Sequence, residues 1–429
     1  MIAECSKAES GFAIFWQGGH LMEKNRFLSA ALALTVVSLL AIGIIAVYST
    51  TYAKLDNGML YKQIVWVASG IVMALIVACI PKNLLARSSK WILVVIGLAL
   101  GYLMVVNVGN ALTTKFLKFS LASYMPLAQV RNGACRWLSL GPITVQPAEF
   151  AKFALILFLS CYYGMRDTAK VESWKDGLII PGSVAFLFMA LILGGRSLSN
   201  CVITCFLMFL VMYFAGVKLR MLMATVSILV LAGVCVILLT PFRRQRIVNY
   251  IHHNENSEVV VIGERKKAVD NYQLDRSICA IGSGGVTGLG IGQGRLKHRS
   301  IPESHTDFVF AVIGEELGFI GISLCIFLYI LFMMLSFAIA RQCSDRSSAL
   351  MCMAVGAFLP LQAMMNMGVV CGLFPTTGVT APLVSYGGSS IASIMLCVGL
   401  VFNASRQQAT DDQEDDERRT ECVIVPSGK

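Results

Sequence analysis

Ile301–Glu316 reads IPESHTDFVFAVIGEE, and both the fold and the candidate site turn on this stretch. A long polar loop ends here and an apolar helix begins. Asp307 stands at the seam, with Glu303 and His305 just before it. A helix continuing past Phe308 carries Glu315 and Glu316 about two turns further down, inside or near lipid. Carboxylates at that depth are costly and usually face a cavity or a partner. One aspartate at the mouth with two glutamates below it makes a candidate reaction site. The competing reading is a helix cap, with Thr306 or Asp307 accepting from the first unbonded amides.

Of the 429 residues, 56 % are hydrophobic and 14 % charged, against roughly 25 % charged in soluble domains. That excludes a soluble globular protein and predicts an all-α, polytopic membrane protein. Apolar runs long enough to span fall at 27–48, 64–80, 91–109, 148–164, 178–194, 199–216, 220–240, 308–334, 349–371 and 388–404. Ten spans place both ends of the chain on one side. The loops 81–90 (Lys82, Arg87, Lys90), 165–177 (Arg166, Lys170, Lys175), 217–219 with adjoining Arg220, and 341–348 (Arg341, Arg346) fall on the same side as Lys24 and Arg26. The positive-inside rule makes that side the cytoplasm. The chain then divides into a cytoplasmic arm, 1–26, a ten-helix membrane domain, 27–404, and a cytoplasmic tail, 405–429. Residues 1–21 lack an apolar core with a cleavage site; Met22, followed by EKNR, reads as the better start, and the arm before it as unstructured. The acidic run from Asp411 to Glu417 reads as a solvated, disordered tail. The fourteen cysteines show no metal-ligand spacing and read as small core hydrophobes. A net charge of +10 suits anionic lipids, and nothing points to nucleic acid.

The outer face then carries three loops, 110–147, 241–305 and 372–387. The first holds Lys115, Lys118, Arg131 and Arg136, and the second holds ten Lys and Arg, among them Arg243 and Arg246 on one helical face. Cations on a face that should be charge-poor suggest a vestibule for a negative ligand; snorkelling to lipid headgroups is the alternative. NGACRWLSLGPITVQPAEFAK, 132–152, reads as an interfacial or re-entrant segment. Arg136 offers a planar fork for phosphate, Trp137 suits the membrane interface, and Glu149 and Lys152 are close enough to pair. AIGSGGVTGLGIGQG follows in the second loop. No strand–helix unit surrounds it, so it is not a dinucleotide loop; its glycines permit tight turns close to a ligand or the membrane, or a phosphate nest. GLFPTTGVTAPLVSYGGSS is uncharged. Its Ser385, Tyr386, Ser389 and Ser390 supply hydroxyls suited to a sugar, or the segment is a plug that packs the helices.

Three of these stretches, GACRWLSLGPITVQPAEFAK, AIGSGGVTGLGIGQG…PESHTDFVFAVIGEELG and GVVCGLFPTTGVTAPLVSYGGSS, resemble the SEDS family of shape, elongation, division and sporulation proteins. The resemblance covers nearly the whole chain after Met22. PTTG and KHRSIPESHTDF look more like the division-type branch than the elongation-type branch. The resemblance implies ten transmembrane helices in the bacterial cytoplasmic membrane, at the division site. It implies a peptidoglycan glycosyltransferase acting on lipid II, an essential Asp307, and a role for Arg136 and Trp137. It also implies a class B penicillin-binding protein transpeptidase as partner, among other division-complex membrane proteins. Relatives carry an acidic Pro-Asp-x-Gly-like element near the start of the sixth helix; here GGRSLSN, 194–200, has Arg196 and no acid.

The chemistry needed is attack of a sugar hydroxyl on an anomeric carbon bearing a polyprenyl pyrophosphate. Asp307 is the candidate base. Arg136, Arg243 and Arg246 are candidates to hold the pyrophosphate. Trp137, Lys152, Glu303, His305, Ser385, Tyr386 and Ser389 complete the candidate substrate contacts. A divalent cation, Mg or Mn, on Asp307 and Glu303 is an open alternative. An α-linked donor giving a β-linked glycan requires inversion, so one displacement suffices. Two other readings stay open: a lipid II flippase, which intramembrane Glu315 and Glu316 also fit, and a non-catalytic division scaffold.

Overall fold

The computed structural model describes residues 2–52, 57–116, 125, 127–131, 134–141, 143–239, 268–294, 305–375 and 378–424. In chain order they form α1 (Ile2–Tyr52), α2 (Asn57–Cys79), α3 (Lys82–Phe116), β1 (Ala128–Arg131), β2 (Ala134–Leu140), β3 (Ile143–Val145), α4 (Pro147–Gly164) and the short α5 (Thr168–Val171). There follow α6 (Ile180–Gly194), entered through a π turn at Trp174–Ile179, α7 (Leu198–Phe214), α8 (Leu219–Leu239), α9 (Ala268–Gly284), α10 (Val309–Ala340), α11 (Arg346–Val370) and α12 (Gly388–Ile424). Among the described residues each apolar run coincides for most of its length with a helix. Among the described residues seven helices are long and apolar enough to cross a membrane; α7 and Leu219–Leu231 of α8 are apolar and shorter. α4 carries Glu149 and Lys152 in its first two turns.

Side-chain bonds sort the loops into two ends. At one end Arg346 donates to Arg166 O at 2.9 Å and to Ala215 O at 2.8 Å, bringing the tails of α4 and α7 to the start of α11. Ser344 N donates to Gln408 Oε1, and the Ser29 and Ser405 hydroxyls meet at 2.6 Å. The basic loops around Arg166, Ala215 and Arg346 therefore share one end with Ser29 of α1 and Ser405 of α12. At the other end Gln146 N donates to Ser389 Oγ, and Tyr386 N to His305 O.

The structure corrects several readings of local structure. Within the first outer loop α3 runs on to Phe116, and the stretch expected to be interfacial or re-entrant contributes, among the described residues, to an antiparallel sheet, β1–β2–β3. Its buried side rests on α3, where Cys135 meets Leu103 and Val106. Asn107 of α3 fixes the sheet by donating to Cys135 O at 2.7 Å and accepting from Cys135 N at 2.9 Å. The 241–305 loop contains α9. α1 extends back to Ile2 and α12 on to Ile424, where an unstructured arm and tail were expected. Once a span has nucleated a helix, each added residue gains a bond without a new nucleation cost.

Without a hydrophobic drive between helices in lipid, close backbone approach at small residues holds them together. α2 lies along α12 in this way. Gly70 meets the Met395 side chain, and a Cβ on Gly399 would sit 2.7 Å from Ala74 O and 3.0 Å from Ala74 Cα. Buried Asn403 of α12 donates to Val77 O and Ile80 O, satisfying carbonyls at the end of α2. Gly399→Val is therefore expected to cost about 1–3 kcal/mol through overpacking. A lower Tm and lower monodisperse yield in detergent would show it; an unchanged Tm would mean that the two helices do not approach this closely.

Candidate functional site

The seam at Asp307 is built by polar side chains that satisfy irregular backbone. Residues 305–308 form a turn, and α10 starts at Val309 with Phe308 as its N-cap, which makes no side-chain cap bond. Asp307 stands one residue before the cap position, so neither Thr306 nor Asp307 is the N-cap residue. Buried Asn366 of α11 donates to Asp307 O at 2.9 Å and also to Val379 O. Gln362, one turn earlier, donates to Thr380 O at 2.9 Å. Two amides four residues apart on one helix face thus hold the 378–387 segment beside the Asp307 turn. Gly378, at φ 70°, lies close to the carboxylate: a Cβ there would be 3.3 Å from Asp307 Oδ2.

The 378–387 segment is packed into the protein, with Val379, Ala381, Leu383, Val384 and Ser385 buried. Non-helical backbone at such depth persists only where its polar groups are satisfied. Tyr329 donates to Pro382 O at 2.5 Å. Ser385 Oγ accepts from Ala381 N at 2.8 Å and donates to Thr306 O at 2.6 Å. Ser389 Oγ accepts from Gln146 N at 3.0 Å. Ser390 meets Thr380 Oγ1 at 3.0 Å. The hydroxyls of Ser385 and Ser389, expected to face a sugar, are buried and join the outer segments to one another. Tyr386 and His305 are partly exposed and stack edge to face, 5.4 Å between ring centres.

Beneath this segment, Lys152 donates to Glu149 Oε2 at 2.6 Å and to Gln362 Oε1 at 3.4 Å. Lys152 is 1 % exposed and Glu149 5 %. A buried ion pair of this kind gains little stability over apolar packing, but loss of one partner leaves a costly buried charge. Lys152 therefore connects α4 through Gln362 to the 378–387 segment, and lies inside the protein.

Arg136 and Trp137 lie on β2, away from these bonds, joined to them through β3 and Ser389. Arg136 is exposed, and its guanidinium donates to Arg196 O at 2.6 Å. Arg196 has a positive φ of 60°. Burial pushes the Cys135 thiol up, and the Arg196 charge beside it pulls the thiol back. The arginine that replaces the expected acid thus stands at the same sheet as Arg136. Arg243, Arg246 and Glu303 lie outside the described residues. Among the described residues no three His, Cys, Asp or Glu come together to hold a metal ion.

Glu315 and Glu316 are buried, 1 % and 3 % exposed, and face protein: Glu316 Oε1 accepts from Ser49 of α1 at 2.5 Å. Sequence reading missed Gln362, Asn366 and Ser49. The first two carried a usable signal, amides four residues apart inside an apolar run.

A helical membrane bundle whose polar site is framed at one end by irregular, internally bonded segments defines the class. The family model described as cell cycle protein, covering FtsW, RodA and SpoVE, matches residues 30–410. The chain belongs to that family. Stage V sporulation protein E of Bacillus subtilis is 29 % identical over 385 residues, 87 % of this chain and 96 % of the relative. The probable peptidoglycan glycosyltransferase FtsW of Saccharophagus degradans is 31 % identical over 400 residues, 91 % and 95 %. Among solved structures, a peptidoglycan synthase complex that coordinates polymerization and crosslinking matches with TM-score 0.69 and 26 % identity, over 88 % of this chain and 97 % of that one. The rod shape determining protein RodA of Thermus thermophilus matches with TM-score 0.61 and 26 % identity, over 88 % and 96 %.

Asn366 is used as a donor, so Asn366→Asp, which loses the N–H groups, should destabilise the fold as Asn366→Ala does. An unsatisfied buried carbonyl costs about 1–3 kcal/mol. Thermal unfolding in detergent that finds Asn366→Asp as stable as the parent would contradict the bonding described.

Proposed function

We propose that this protein is a peptidoglycan glycosyltransferase that polymerises lipid II into glycan strands at the outer face of the bacterial cytoplasmic membrane during cell division. The observation that carries the proposal is the placement of Asp307. Its main chain is fixed by Asn366, its flanking residues are fixed by Ser385 and Tyr386, and it stands partly exposed at the end of the bundle opposite the basic loops. The names of the FtsW relatives support the reaction class.

In this reading ten helices cross the membrane, both termini are cytoplasmic, and Asp307 faces outward. The acceptor hydroxyl loses its proton to Asp307 as its oxygen attacks the anomeric carbon of the donor sugar. The bond from that carbon to the pyrophosphate oxygen breaks with inversion. Arg136 stabilises the departing charge, with Arg243 and Arg246 assigned to the same task. Asp307 or Glu303 would hold a divalent cation, Mg or Mn, which would neutralise charge on the departing pyrophosphate. The partner is a class B penicillin-binding protein transpeptidase, docked helix to helix, which cross-links the new strand. The synthase complex with which this fold aligns couples polymerization to crosslinking, which supports a partnership of this kind.

Asp307→Asn keeps the size of the side chain and removes its basicity. Polymerisation by the purified variant is expected to fall about 10²–10⁴-fold with an unchanged Tm. A series over added Mg and Mn separates base from metal ligand. A rate near that of the parent would remove Asp307 from the mechanism and favour a flippase.

A further inference from the structure

We infer that Glu316 and Ser49, acting with the glycine-rich loop Gly284–Gly294, are positioning residues for Asp307; the inference rests on the polymerase reading above. α10 is not one continuous helix. Gly318 adopts φ 65° and ψ −159° within it. In an unbroken helix Phe319 N and Ile320 N would donate to Glu315 O and Glu316 O. Here Phe319 N donates to Gly285 O at 3.0 Å and Ile320 N to Val286 O at 3.2 Å, while Glu315 O and Glu316 O accept from Leu289 N and Gly290 N, both at 3.0 Å. The loop enters the break and satisfies these four groups.

That exchange needs glycine. A Cβ on Gly284 would sit 3.0 Å from Glu315 Cα, one on Gly288 2.6 Å from Leu317 N, and one on Gly318 2.7 Å from Val286 C. Gly288 and Gly318 also have positive φ, at 80° and 65°, which costs other residues roughly 1–2 kcal/mol. The outer half of α10, residues 309–317, is therefore not aimed by the rigidity of its own lower half. Asp307, two residues before it, takes its position from whatever holds that outer half.

Glu316 stands where the holding elements meet. Its Oε1 accepts from Ser49 of α1 at 2.5 Å. Gly294, the end of the loop, lies against both carboxylates: a Cβ there would be 2.9 Å from Glu315 Oε2 and from Glu316 Oε1. α1 is in turn fixed beside the 378–387 segment, where Gly43 meets Leu383 O and Val384 O. Glu316, 3 % exposed, is enclosed by protein and acts through the segments it joins. A carboxylate accepts several hydrogen bonds and donates none when ionised, which suits it to that joint.

The test uses the full chain in lipid nanodiscs with lipid II as substrate. Ser49→Ala and Glu316→Leu should lower kcat at least tenfold with KM within twofold of the parent. Ser49→Thr and Glu316→Gln, which keep a donor and an acceptor, should recover a third or more of the parent kcat. Hydrogen exchange of peptides covering Phe319 and Ile320 should speed up in the first pair and return towards the parent in the second. Glu316→Gln as inactive as Glu316→Leu would overturn the inference, since charge would then matter more than the bond. Parent-like kcat in Ser49→Ala and Glu316→Leu, or a KM that rises with the loss of kcat, would overturn it as well. A parent protein that makes no glycan would defeat the polymerase reading instead; exchange at Phe319 and Ile320 would still report on the joint, and unchanged exchange in both Ser49→Ala and Glu316→Leu would refute it.

Discussion

Inside a membrane bundle every backbone N–H and C=O must find a partner, because no water is at hand to take its place. Much of what is unusual in this chain follows from two places where that demand is met without a regular helix. At Gly318 the α10 ladder breaks, and the backbone of Gly285–Gly290 supplies and receives the missing bonds. At 378–387 the chain runs irregularly among the helices, and Gln362, Asn366, Tyr329 and Ser385 bond its carbonyls or amides. Gln362, Asn366 and Tyr329, polar groups within apolar spans, are explained by the second of these segments.

Both segments converge on the Asp307 turn. The loop in the α10 break sets the course of the outer half-helix. The 378–387 segment holds Thr306 and His305 through Ser385 and Tyr386. The Lys152–Glu149 pair joins through Gln362, so α4 and α11 are fixed to the same frame. The base proposed at Asp307 would need such a frame, since a misplacement of about 1 Å can cost on the order of 10²-fold in rate.

The helices were legible because each apolar run is long, and the seam at Asp307 because charge and apolarity change there abruptly. The sheet was not legible: β1 and β3 have four and three residues, too few to show alternation against an apolar background. The glycine run signals close backbone approach, and Gly284, Gly288 and Gly294 lie against α10; no sequence spacing announces a partner within the same chain. Ser385 and Ser389 look alike whether a hydroxyl faces a sugar or a carbonyl, so their inward bonding had no signature. Gln362 and Asn366 were readable in principle, as a polar pair one turn apart in an apolar run. Arg196 stands out in the sequence as a departure, but its nearness to Arg136 depends on how the sheet folds back onto the turn before α7.

The central claim is that this chain forms glycosidic bonds. The most direct measurement is polymerisation by the purified full-length protein in nanodiscs supplied with lipid II, alone and with the proposed transpeptidase partner, resolved as glycan strands on a gel. The account predicts strands that depend on this protein and increase when the partner is added. Transbilayer movement of lipid II in vesicles, with no strands formed under either condition, would contradict it.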